Sequence, residues 1–164
     1  MNQAELQSIL QTLRFSAELS DATAAKLAAL VSLQQFPAGT VIFAEGAVNP
    51  WMYLIVEGQI ALEMCVPAKG CTRILTLGAG ELLAWSSLLG GGRMTAGAHA
   101  LTNSRMLVAP AKAISDLCAA DREFGYEFFR GVAVALSKRL VATRLQLLDL
   151  YGDPASQPAA AGTL

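Results

Sequence analysis

The chain has 164 residues, with 12 Lys+Arg against 13 Asp+Glu and a formal net charge of −1. That balance carries no electrostatic footprint for nucleic acid or for an anionic membrane surface. Hydrophobic residues make up 54% and charged residues 15%, against roughly 25% charged in an average domain. The composition excludes a disordered chain and points to more hidden surface than a monomer needs. No apolar run approaches the roughly 18 residues of a membrane span, and Met1 to Glu5 lack the basic-then-apolar pattern of a signal peptide. A cytoplasmic protein with no membrane partner is expected. Three Cys and one His cannot build a disulfide framework, a four-thiolate centre or a His-rich metal site. No nucleophile elbow, Walker loop or dinucleotide fingerprint occurs, and no enzyme is expected.

The first third reads helical. Leu6, Ile9, Leu10 and Leu13 recur at helical spacing over 4–13. Ser20-Asp21 is a predicted N-cap for a helix over 22–33, with Leu27, Leu30 and Val31 as its stripe. Pro37-Ala38-Gly39 closes that region, and the period changes to two. Strands are predicted over 40–43, 51–56, 59–66, 72–77, 96–101 and 105–109, separated by turns at Glu45-Gly46, Glu57-Gly58, 67–70 and 78–80. A short helix is expected around 85–89, followed by the loop Gly90-Gly91-Gly92. Many short strands at close spacing argue for a sandwich or barrel.

The last third is helical again. A short helix is predicted over 111–119, then a long one from an N-cap at Asp121 to about Tyr151. About 30 residues at ~1.5 Å each span roughly 45 Å, longer than a small barrel is wide. Two apolar stripes lie on it: Phe129, Val132, Leu136, Leu140, Thr143, Leu147 and Leu150, and Val134, Val141, Leu145 and Leu148. One face can lie on the barrel, and the other is expected to meet the same helix of a second chain. A parallel homodimer through 122–151 follows. Gly125 and Gly131 weaken the helix by roughly 1 kcal/mol each, so its first turns are candidates for a break or pivot. Residues 152–164 carry no pattern and read as a disordered tail.

Taken in order, these features resemble the cyclic nucleotide-binding domain of the catabolite activator protein (Crp/Fnr) superfamily. The likeness rests on 36–46 with its Gly39 and Gly46 turns, on 51–60 with Glu57-Gly58, and on Gly80-Glu81-Leu82-Leu83. Ala100-Leu101-Thr102, Leu107-Val108 and 137–143 complete it, so that it spans roughly 20–151. It implies an α+β fold. N-terminal helices (1–33) precede a β-roll (34–110) that carries a short phosphate-cassette helix, and C-terminal helices (111–151) end in a long dimerisation helix. It also implies a ligand, cyclic AMP or cyclic GMP. In ligand-binding members a Gly-Glu pair opens the cassette. The Glu accepts a ribose hydroxyl, and an Arg followed by Ser or Thr holds the phosphate together with the helix amides.

This chain departs from that pattern. The Gly-Glu position reads Ala84-Trp85, and the Arg position falls on Met94, with Arg93 one residue early. A one-residue offset in a strand turns a side chain to the other face, though the glycine loop could absorb it. Losing two charge-assisted contacts costs roughly 3–6 kcal/mol, or about 10²–10⁴ in affinity. The candidate ligand-binding residues are Leu83, Ala84, Trp85, Ser86, Ser87, Arg93, Met94 and Thr95, with Thr143 and Arg144 from the long helix. Three readings stand. One is a sensor with an altered ligand, signalling through the dimer to a protein partner; the second is a ligand-free interaction module with Trp85 filling the pocket. The third is a sensor fragment of a transcription regulator. Transcription factors of the superfamily continue past the long helix into a helix-turn-helix domain. Here only 152–164 follow Tyr151, so no DNA binding by this chain alone is expected. Arg130, Lys138, Arg139 and Arg144 read as a solvated helix face. Cys65 and Cys71 flank the turn at 67–70. A five-residue loop would set them opposite each other and a four-residue loop on opposite faces; reduced thiols are expected.

Overall fold

The structure, a computed structural model, describes residues 2–17, 19–89 and 91–151. The predicted tail, 152–164, lies outside them. Helix α1 (Gln3–Thr12) starts at a reciprocal cap. The Asn2 side chain accepts from Glu5 N at 2.8 Å, and the Glu5 carboxylate accepts from Asn2 N at 2.9 Å. Helix α2 (Asp21–Ala28) is capped by Ser20, as predicted, but it ends before Leu30. Ser32–Phe36 is instead a strand, β1, paired antiparallel with β8 (Ser104–Pro110). Leu30, Val31 and Leu33 fit either period, and the open edge of β8 decides between them. The helical region therefore ends short of residue 33.

The remaining strands are β2 (Val41–Phe43), β3 (Trp51–Glu57), β4 (Ile60–Val66), β5 (Gly70–Leu77), β6 (Leu82–Leu83) and β7 (Gly97–Ala100). They form two four-stranded sheets, ordered β1-β8-β3-β6 and β2-β7-β4-β5. The two central strands of the first sheet, β3 and β8, are buried on both faces, whereas the edge strand β1 is largely exposed. Along β3, Met52 and Leu54 point into a core shared with the helices, while Tyr53 and Ile55 point between the sheets. Strand β8 repeats this, with Leu107 and Ala109 on one side and Met106 and Val108 on the other. That is why β3 reads as a nearly continuous apolar run.

Helix α3 (Ala111–Ala120) leads into α4 (Arg122–Tyr151), which is unbroken through Gly125 and Gly131. Asp121 caps α4, accepting from Phe124 N at 3.1 Å, and pairs with Lys26 Nζ at 2.5 Å. The Glu127 carboxylate accepts from both Ser20 N and Ser20 Oγ at 2.9 Å. The first turns of α4 are thus tied to the start and middle of α2. They are also buried: Phe124 stacks on Phe128 at 5.7 Å, and Phe128 meets Phe15 edge-on at 5.6 Å. Beyond Leu140 the helix runs free, with 141–149 exposed.

The β4–β5 hairpin corrects one expectation. Its register sets Val66 opposite Gly70 and Cys65 opposite Cys71, and the two cysteines are joined in a disulfide rather than free. The five-residue alternative is the one adopted, because Ala68 and Gly70 both take positive φ and close the turn in register. Cys118 is the free thiol, half-buried on α3, where burial pushes its pKa up.

Candidate functional site

The cassette runs from β6 to β7. Ala84 takes the left-handed conformation at φ 62° and turns the chain into a short 3-10 helix, Trp85–Ser87. A residue with no Cβ is the ordinary occupant of such a place. The structure brings Leu83, Ala84, Trp85, Ser86, Met94 and Thr95 together around one cavity, which Phe43, Leu62, Ala96 and Arg139 complete. Its volume is about 40 Å³, room for a water or two, against roughly 300–1,000 Å³ for a small-molecule site. Met94 is buried among Tyr53, Ile55 and Val108 in the inter-sheet core. Trp85 packs half-buried against the core beneath the helices.

The polar groups expected at the mouth are engaged elsewhere. Ser87 Oγ donates to Ala84 O at 2.6 Å, and Ser86 Oγ lies 3.6 Å from Met94 Sδ. Arg93 is exposed and donates from Nη1 to Gly46 O at 2.6 Å, alongside an isolated bridge to Val48. It therefore anchors the β2–β3 loop and does not line the cavity; the glycine loop does not swing it inward. Thr143 is exposed and donates to Arg139 O at 3.0 Å, one turn back. Neither Thr143 nor Arg144 lines the cavity.

The residue that reaches the site from α4 is Arg139, which sequence reasoning assigned to a solvated face. Its Nη2 donates to Leu82 O at 2.5 Å, and its Nε is buried with no hydrogen-bond partner. Burial pulls its pKa below the usual arginine value, while Glu81 opposes the shift. The spacing Gly131, Ala135, Arg139, Ala142 is the only trace of this in the sequence: small residues on one helix face leave room for the arginine to fold down.

Arg139 also lines a second and larger cavity, of about 300 Å³, between α4 and the segment Gly80 to Leu82. Its walls include Arg14, Phe15, Leu75, Val134, Ala135 and Lys138. Glu81 lines it too, and its carboxylate accepts from Gly78 N at 2.7 Å. Among the described residues no group of His, Cys, Asp and Glu is arranged to hold a metal ion. His99 on β7 faces Glu63 on β4 at 3.5 Å. No described helix is long and apolar enough to cross a membrane.

A β-roll with a short 3-10 helix, followed by a pair of helices of which the second reaches back to the roll through Arg139, defines a class of small binding domains. The model of the cyclic nucleotide-binding domain matches residues 33–121, more than half of the chain, and the chain belongs to that family. Solved structures agree on the fold. A cyclic nucleotide-binding domain from Methylobacillus flagellatus KT superposes with a TM-score of 0.77 at 20% identity, covering 99% of this chain and 86% of that one. The N-terminal domain of a transcriptional regulator from Streptomyces coelicolor A3(2) gives 0.66 at 27% identity, covering 82% and 93%. The catabolite activator protein of Thermus thermophilus gives 0.66 at 23% identity, with 84% of this chain against 62% of that one. No curated protein sequence matches the chain.

Proposed function

We propose that this chain is a regulatory domain that acts as a homodimer through α4 and signals to a protein partner, and that its cassette no longer takes a cyclic nucleotide. The observation that carries this reading is the 40 Å³ cavity where the family holds its ligand. Met94 occupies the arginine position and is buried there; Trp85 occupies the glutamate position; Arg93 points away. A phosphate brought into that cavity would meet a thioether at the arginine position, and the guanidinium on its wall, that of Arg139, already donates to Leu82 O. Relatives named as a transcriptional regulator and as catabolite activator protein support a regulatory role rather than a catalytic one.

Dimerisation is supported by α4 itself. Leu140, Val141, Leu145, Leu147 and Leu148 are all exposed on its free half. An exposed helix segment of that length is marginal in water; a second copy of the same segment offers the matching apolar stripe. The deciding experiment is a calorimetric titration with cyclic AMP and then cyclic GMP. No heat is expected up to millimolar nucleotide. Micromolar binding would mean that the cassette opens and would overturn the reading.

A further inference from the structure

The 300 Å³ cavity behind α4 is separate from the cassette, and its lining has a distinct chemistry. Three cations, Arg14, Lys138 and Arg139, converge on it against one carboxylate, Glu81, which is already engaged by Gly78 N. None of the ion pairs among the described residues involves those three cations. Arg14 and Lys138 are exposed, at the rim, whereas Arg139 is mostly buried and keeps one buried N–H without an acceptor. The remaining wall is apolar, from Phe15, Leu75, Leu82 and Val134. A buried donor with no partner is costly, and it leaves the Arg139 guanidinium incompletely satisfied at the wall of the cavity. The volume sits at the lower end of the roughly 300–1,000 Å³ range of small-molecule sites.

We infer that this cavity binds a small amphiphilic anion, a carboxylate with an apolar body, whose headgroup is held by Arg139 with Arg14 and Lys138 at the rim. The apolar body lies along Phe15, Leu75 and Val134. The site joins α4 to β6, the strand that opens the cassette, since Arg139 bridges to Leu82 O. Occupancy therefore bears on the position of the dimerisation helix. The inference does not rest on the closed cassette, because the two cavities share one lining residue, Arg139.

The test uses decanoate as the probe and 1-decanol, of equal chain length, as the uncharged control, each titrated into the full chain by calorimetry. Saturable one-to-one binding of decanoate is expected, at least tenfold tighter than that of decanol. Arg139→Gln is expected to weaken decanoate binding roughly ten- to a hundredfold, the range for a lost charge-assisted contact. Lys138→Gln, at an exposed position, should weaken it severalfold. Ala142→Leu leaves every charge in place and fills the cavity from an exposed helix position; it is expected to abolish binding, and it decides the matter if Arg139→Gln does not fold. Non-saturable uptake, equal affinity for decanol, or unchanged decanoate affinity in folded Ala142→Leu would each overturn the inference. Cyclic AMP titrated into the same proteins separates the outcomes: nucleotide binding would overturn the closed cassette and leave this site standing.

Discussion

At Ala84 the chain does what alanine resists. A left-handed φ of 62° costs a non-glycine residue roughly 1–2 kcal/mol. Replacing it by glycine removes that strain, but it adds about 0.5–1 kcal/mol of chain entropy and loses a buried methyl worth about 0.8 kcal/mol. Ala84→Gly is therefore expected to change stability by less than about 1 kcal/mol in urea unfolding. Ala84→Val, whose branched Cβ cannot sit in that region, is expected to cost more than about 2 kcal/mol; an unchanged midpoint for the valine variant would show that the cassette turn is not left-handed. The turn matters because it aims Trp85 and Ser86 at the cavity. The positions of Ala84-Trp85 and Met94 within the cassette segment were assigned in the sequence from the resemblance, at counted distances from recognisable turns. The aim of Arg93 was not legible there, since one residue of slack in a glycine loop reverses a side chain.

Among the elements, α4 carries the contrast. Its two early glycines look alike in sequence, and both carry the same helix penalty of roughly 1 kcal/mol. Their surroundings differ. A Cβ on Gly125 would lie 2.8 Å from Cys118 O, a backbone atom that cannot step aside. A Cβ on Gly131 would meet the Phe15 ring at 3.5 Å, an ordinary contact. Gly125→Ala is thus expected to destabilise by about 1–3 kcal/mol through the α3–α4 contact, and Gly131→Ala to stabilise by up to about 1 kcal/mol. Opposite shifts of the urea midpoint would bear this out; two stabilising shifts would mean that α3 and α4 are not in close contact. Neither glycine breaks the helix, because the burial of Phe124, Phe128 and Val132 outweighs two propensity terms. The shift of 32–33, the end of the predicted helix, into β1 has the same origin: both periods fit there, and pairing with β8 settled it.

For the whole molecule, two tests apply. Acid should loosen the union of the N-terminal and C-terminal helices at the α2–α4 junction. Hydrogen bonds from Lys26 and Phe124 N hold Asp121 below its ordinary value of 3.8, and those from Ser20 and Thr23 hold Glu127 below 4.5. A depressed carboxylate contributes stability that is present above its unfolded value and lost as pH falls through its folded one. Thermal stability should therefore decline on acidification below about pH 4.5, and Asp121→Asn should flatten that decline while lowering stability at neutral pH. Salt should weaken the effect, because these groups are at the surface. The second test concerns assembly. Leu145→Glu together with Leu148→Glu, on residues 57% and 67% exposed, should convert a dimer into a monomer in sedimentation equilibrium without altering the circular dichroism of the roll. A wild-type chain that sediments as a monomer would overturn the proposed interface.

Both N-caps, six of the roll's eight strands and the family were readable from residue order, because turns, caps and period-two alternation are local properties with local causes, whereas β1 and the two-residue β6 were not. The double burial of the first sheet's central strands was half readable, as an apolar run in β3. What folding alone settled is which distant groups meet. Arg139 looked like one of four solvated cations, yet it folds onto Leu82 because small residues on its helix face and the backbone of a segment 57 positions away leave it a bed. The disulfide needed the hairpin register, and the volume left in the cassette needed every side chain around it in place. Close packing is a property of the whole set of neighbours, and no spacing along the chain encodes the gap that remains between them.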